Sequence, residues 1–301
     1  MTEVADGSRL PNKPSVIGAQ TMSLLVPFGS KGQLDTRRRI GEFDNMELSA
    51  CIEWLFSEDD ATFPERVIRA SRDGLGAVEF WGWRDKDMEA VGRALEQTGT
   101  RLTSFVSEPT GRLVDRSTHD EFIAGVEASA ALAARLGCAA LVVLSGDELD
   151  DVPRAAQFAA IVDALKAAAP IARRHAVRLV LEPLSRIDEP KNFLSTTREG
   201  LDIVDAVSDP SVALLLDLFH AVAMGEDPKV EVGSRMDRVG HVQIADVPGR
   251  NEPGTGTIAW IDTLSWLRAA GYRGPVGLEY MPSGGTHESL ELIRKIAAEI
   301  N

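Results

Sequence analysis

Val177-Arg178-Leu179-Val180-Leu181-Glu182-Pro183 is an apolar run of strand length that ends in a carboxylate and is closed by proline. The same design recurs downstream. Residues 212–217 end in Asp217, residues 239–245 carry His241 and Gln243, and residues 276–280 contain Glu279. Upstream, residues 48–54, 77–81 (with Glu79), 102–107 and 139–144 are further runs of this kind. Continuous apolar runs, in place of period-two alternation, mark strands buried on both faces, which is the condition of a parallel sheet.

Helical periodicity fills the gaps between runs. Helices are expected over residues 63–73 (Pro64 near the start), 88–97, 118–136, 154–175, 197–207, 261–270 and 288–299, with shorter pieces at 219–224 and 230–236. Thr118 followed by Glu121 predicts a capping box, and Gly137 a helix stop. Eight strand–helix pairs in sequence predict an α/β fold, a single (β/α)8 TIM barrel spanning residues 46–301. A doubly wound dinucleotide-binding sheet would place a G-x-G-x-x-G turn after its first strand, and no such turn follows here. Residues 1–45, with scattered Pro and Gly and the basic cluster Arg37-Arg38-Arg39, form an irregular N-terminal extension. Residues 21–28 are a candidate extra strand there, and a homo-oligomer contact, if the chain forms one, is expected on this arm.

The 301 residues are 44% hydrophobic, enough for one large core. A net charge of −14 disfavours a nucleic-acid partner, since phosphate recognition depends on clustered Lys and Arg. No uninterrupted apolar run reaches the roughly 18 residues of a membrane span, so no membrane partner is expected. Met1–Leu10 carries Glu3 and Asp6 and no basic region followed by an apolar block, which makes a cytoplasmic location the expectation. Cys51 and Cys138 lie in apolar runs without metal-ligand spacing and read as buried free thiols.

A barrel carries its chemistry at the carboxyl ends of its strands. Carboxylates ending four separate apolar runs (Glu79, Glu182, Asp217, Glu279) are costly to bury unpaired. They are explained by convergence around a cation, or locally, by helix capping and pairing with Arg. Glu182, Asp217, Gln243 and Glu279 together offer only oxygen, which suits a divalent metal such as Mg²⁺ or Mn²⁺. His241 projects from the same side of its strand as Gln243. It is either a ligand, which would shift the preference towards Mn²⁺, Co²⁺ or Zn²⁺, or a residue that orients a ligand. His220, three residues after Asp217, is placed at the barrel mouth. Gly254-Thr255-Gly256 lacks the Gly-Lys-Ser/Thr of a phosphate-binding loop and reads as a flexible substrate loop. Residues 282–286 are a candidate anion site before the last helix.

Four stretches, residues 48–56, 77–83, 241–250 with the following Pro253-Gly254-Thr255-Gly256, and 276–280, carry a resemblance to the xylose-isomerase-like barrels and, within them, to the hydroxypyruvate isomerase branch. The resemblance runs from about Met46 to the C-terminus. It implies a metal held by Glu182, Asp217, Gln243 and Glu279. Gln in the third place resembles the hydroxypyruvate isomerase branch more than the ketose 3-epimerases. It further implies proton transfer by Glu182 and Glu279, with His220, Arg250, Glu79, Trp81 and His241 disposed around a small hydroxy-carbonyl acid or sugar. Arg250 suits a carboxylate because its planar fork bonds both oxygens. Oxo-tetronates and ketoses are alternative substrates, since fold and metal do not set the substrate. A non-catalytic sugar-acid-binding protein, or one subunit of a hetero-complex, is the alternative outside catalysis. Abasic-site DNA repair would call for a His-rich zinc cluster and a basic face, against five His and a charge of −14.

Overall fold

The apolar runs become parallel strands, and the strands close on themselves. In the computed structural model, which describes residues 42–43, 46–110 and 112–300, the barrel strands are β1 (Met46–Cys51), β2 (Ala77–Phe80), β3 (Arg101–Val106), β4 (Ala140–Leu144), β5 (Arg178–Glu182), β6 (Val212–Asp217), β7 (Val239–Ile244) and β8 (Val276–Leu278). Each pairs in parallel with the next, and β8 pairs with β1 through Leu48–Val276, Ser49–Gly277 and Ala50–Leu278. Closure removes both sheet edges. A two-residue strand, Glu42–Phe43, adds to β1 in antiparallel. The candidate strand at residues 21–28 and the basic cluster Arg37-Arg38-Arg39 lie outside the described residues.

Helices α1 (Phe63–Arg72), α2 (Met88–Thr98), α3 (His119–Leu136), α4 (Arg154–Arg174), α5 (Thr197–Val207), α6 (Leu218–Ala223), α7 (Pro228–Val232), α8 (Trp260–Ala269) and α9 (Thr286–Ile300) follow the strands. Gly137 stops α3 in the left-handed conformation, as expected. The capping box predicted at its other end does not form: the Thr118 hydroxyl donates to the Arg112 and Asp115 carbonyls instead. The box appears on α1, where Glu65 accepts from the Thr62 backbone N–H and hydroxyl. By length and composition α4 would reach across a membrane, but its inner face, including Ile161, Leu165 and Ala172, is buried in the fold. It packs on α3, α5 and β5.

The barrel interior is divided. On β4 to β6 it is filled by Ala140, Val142, Val180, Ala213 and Leu215. On β1, β2, β3 and β7 it is polar: Ser49, Glu79, Thr103, His241 and Gln243 are all buried. Gly200 shows how tightly the helices are set. A Cβ there would lie 2.6 Å from Leu214 Cδ1 and 3.1 Å from Pro183 Cγ. Helix propensity alone favours Gly200→Ala by about 1 kcal/mol. We expect overpacking to win, with a net loss of about 1–3 kcal/mol in urea unfolding.

Candidate active site

A cavity of about 360 Å³ opens at the carboxyl ends of the strands. Glu182 and Asp217 are the last residues of β5 and β6, and Gln243 is the penultimate residue of β7. Glu279 directly follows β8. Strand register sets Asp217 beside Gln243 and Gln243 beside Gly277. All four side chains are buried.

Both explanations for the strand-end acids hold in part. Asp217 caps α6, its Oδ1 accepting from the Phe219 N–H at 2.8 Å, while Oδ2 looks into the site. Glu279 accepts from Trp81 Nε1 at 2.7 Å and from Arg250 Nη2 at 2.6 Å. Arg250 also lies 3.4 Å from Asp217 Oδ2 and 3.0 Å from Asp188 Oδ2, with its guanidinium against the faces of Trp54 and Phe219. Among the described residues, Glu182 accepts no hydrogen bond and has only the His220 ring, 4.0 Å away. Burial, then the charges of Glu279 and Asp217, holds the Glu182 carboxyl well above the usual carboxylate range. Burial likewise pushes Glu279 up to about 7, with Arg250 pulling it down and Asp217 pushing it further up.

Ligand atoms of Glu182, Asp217 and His220 lie within 4.8 Å of one another, a spacing a metal ion would accept. The ring of His220 argues for a different part. Its Nδ1 accepts from the Ser185 N–H at 3.1 Å, so that nitrogen carries no proton. Burial lowers the pKa of the ring and keeps it neutral, with Asp217 acting in the opposite sense. The proton of the neutral ring then sits on Nε2, which is buried without a hydrogen-bond partner. A protonated nitrogen is a donor to a substrate oxygen and not a metal ligand. Gln243 has the complementary property: its buried Oε1 has no partner and is a free acceptor. With the carboxylates, it makes a donor set of oxygens that fits a hard divalent cation.

Glu79 and His241 are paired with each other, and His241 takes the orienting place of its two expected ones. Their carboxylate and ring meet at 2.9 Å. Glu79 lies at the cavity floor, and its oxygens are engaged by His241, Thr103 and Gln243. His241 is fully buried one layer below and does not line the cavity. Trp81 lines the wall and is partly exposed. Sequence reasoning missed Trp54, Ser185 and Asp188, and assigned Cys51 no place on the cavity wall that it lines. None of these sits in a polar pattern that would set it apart along the chain.

Two loops also differ from expectation. The segment with Gly254-Thr255-Gly256 is pinned by Asp246, which accepts from the N–H groups of Val247, Gly254 and Ile258 and from Trp260 Nε1. Gly256 is required there, because a Cβ would lie 2.5 Å from Asp246 Oδ1. This loop holds Arg250 at φ 55°, a left-handed conformation that costs a non-glycine residue about 1 kcal/mol or more. The candidate anion site at residues 282–286 is already answered from within: the Ser283 N–H and hydroxyl bind Glu252, and the Thr286 N–H binds Glu58.

The xylose isomerase-like TIM barrel family model matches residues 67–296. The chain belongs to that family. A Streptomyces coelicolor protein provisionally named hydroxypyruvate isomerase is 33% identical over 237 residues, covering 72% of this chain and 85% of that one. The Escherichia coli hydroxypyruvate isomerase is 29% identical over 252 residues, covering 81% and 97%. Among solved structures, an AP endonuclease, family 2, from Brucella melitensis superposes with a TM-score of 0.78 at 30% identity, over 82% of this chain and 98% of the other.

Burial opposes ionisation of Asp246, but the donors from Trp260 and the loop backbone outweigh it and hold the carboxyl below its usual range. A depressed folded-state value means that the stabilisation is present above the unfolded value of about 3.9 and is lost as pH falls through the lower folded value. Asp246→Asn is therefore expected to cost about 1–3 kcal/mol near neutrality. The gap in urea midpoint between the two proteins should stay constant down to about pH 5 and close below about pH 3.9.

Proposed function

We propose that this chain is an isomerase that interconverts hydroxypyruvate and tartronate semialdehyde by moving a proton between adjacent carbons. The observation that carries the reading is the pair of buried carboxyls, Glu182 and Glu279, on one cavity that also holds Arg250 and the His220 ring. Two carboxyls that can take up and give back a proton at neighbouring carbons are what general acid–base transfer requires. The named relatives support the same reaction class.

The unpartnered Gln243 Oε1 and the carboxylates of Glu182, Asp217 and Glu279 would hold a divalent cation, Mg²⁺ or Mn²⁺ being the best match to oxygen donors. Such a cation, when bound, polarises a carbonyl and lowers the values of the carboxyls beside it. The substrate carboxylate has one place to go. Six acids line the cavity (Glu79, Glu108, Glu182, Asp188, Glu189, Glu279), and Arg250 is the one Lys or Arg among the described lining residues. His220 Nε2–H donates to a substrate oxygen. With the acid fixed at Arg250, one glutamate removes a proton from C3 of hydroxypyruvate, and a proton is delivered to C2 by the other glutamate or by the same one. The C3 hydroxyl gives up its proton and becomes the aldehyde, the C2 carbonyl oxygen gains a proton and becomes the hydroxyl, and no electrons leave the substrate. The rings of Trp54 and Trp81, 5.1 Å apart edge to face, form one side of the cavity.

The six wall acids also oppose a DNA-repair reading suggested by the Brucella neighbour's name, because a phosphodiester backbone would meet like charge.

The test is a coupled assay. Chelator-stripped protein is supplied with Mg²⁺ or Mn²⁺ and hydroxypyruvate, and tartronate semialdehyde is followed through its reductase. Glu182→Gln and Glu279→Gln should each lower kcat by about 10²–10⁴-fold with the fold retained. Arg250→Ala should mainly raise KM for the acid. A wild type that binds the cation and leaves hydroxypyruvate unchanged would refute the substrate, and oxo-tetronates and ketoses would be assayed next.

A further inference from the structure

Glu79 comes from β2, on the far side of the β1–β8 seam from Gln243, and reaches it over Gly277. A Cβ at Gly277 would lie 2.3 Å from Glu79 Oε1 and 2.8 Å from Gln243 Cγ, so only glycine leaves this passage open. At its end the carboxylate is fully engaged. Oε1 accepts from Gln243 Nε2 at 2.8 Å, and Oε2 meets His241 Nε2 at 2.9 Å and Thr103 Oγ1 at 3.2 Å. The Thr103 hydroxyl is itself 2.6 Å from the Ser49 hydroxyl. Glu79 is buried, with 1% of its surface exposed.

A carboxylate only accepts, whereas a primary amide has a donor end and an acceptor end. Glu79 therefore takes the NH₂ end of Gln243 and turns the other end, the partnerless Oε1, away from itself. The amide nitrogen cannot bind a cation; the carbonyl oxygen can. We infer that Glu79 is a positioning residue that fixes the amide of Gln243 with its oxygen towards the cation site, and that His241, Thr103 and Gly277 serve by holding Glu79 in place. This rests on the cation-dependent reading above and assigns Glu79 no contact with substrate.

The measurement is Mn²⁺ affinity of the full chain by titration calorimetry, with no substrate present. Glu79→Gln keeps the shape but offers the Gln243 amide a partner with both donor and acceptor ends, so the amide is free to turn over. Glu79→Asp keeps the charge and draws it back by one methylene. Each should weaken Mn²⁺ binding by about 10–100-fold, the range found when partners of metal ligands are removed. In a Gln243→Leu background, where no amide remains to be oriented, neither change should weaken binding further. Strong non-additivity in this cycle is the supporting result. Equal weakening in both backgrounds would mean that Glu79 acts as a distant charge and would overturn its role, while leaving the cation site standing. A wild type that binds no Mn²⁺ would overturn the cation reading along with it. Thermal melts of each variant show whether a loss of binding reflects unfolding, and either Glu79 variant suffices for the cycle.

Discussion

Closing a ring of parallel strands around buried carboxylates is the constraint that the rest of this structure answers. Glu79, Glu182, Asp217 and Glu279 are each less than a tenth exposed. An unpaired buried charge costs several kcal/mol, so each must find donors, share a proton or meet a cation. The solutions differ. Glu79 gathers three donors from β3 and β7, Asp217 borrows the start of α6, and Glu279 takes Trp81 and Arg250. Glu182 is left with the least help, and burial together with the charges of Glu279 and Asp217 holds its carboxyl high. Burial and the neighbouring carboxylates raise both acids, and the donors from Arg250 and Trp81 temper the rise at Glu279.

Arg250 depends on a chain of support that starts one turn earlier. Asp246 collects the backbone of the loop, the loop sets Arg250 in the left-handed conformation, and the Arg250 carbonyl accepts from the Met281 N–H after β8. Asn251 returns the tie by donating to the Met281 carbonyl. The guanidinium is thereby placed by two strands' worth of structure, although its residue lies outside any strand or helix.

The fold was legible because buried parallel strands leave continuous apolar runs, and each run overlaps a strand, although the first, at residues 48–54, continues past the end of β1 at Cys51. The strand-end acids were legible for the same reason: a carboxylate at the end of an apolar run stands out. Depth along a strand was not. His241 and Gln243 share a face by period, but two residues of rise separate a side chain in the cavity from one sealed beneath it. Contacts made by barrel closure were equally hidden. Glu79 and Gln243 are 164 residues apart, and Ser185 and His220 meet through a backbone N–H that no side-chain pattern announces. Asp246 carries no mark in the sequence that separates a loop-organising acid from a catalytic one.

The division of the barrel interior has a consequence for how such a site can change. At the cavity, carboxylates stand at the ends of β2, β5, β6 and β8, while Val106 on β3 and Val142 and Leu144 on β4 line it with apolar side chains. Leu144 is the register partner of Glu182 on the neighbouring strand, whereas Val106 and Val142 are register partners of each other. Changing Val106 or Val142 would alter the room in the cavity without replacing a carboxylate or the register partner of one. Reach and reactivity are therefore written on different strands, and a lineage can edit the first as a ruler without recomposing the second.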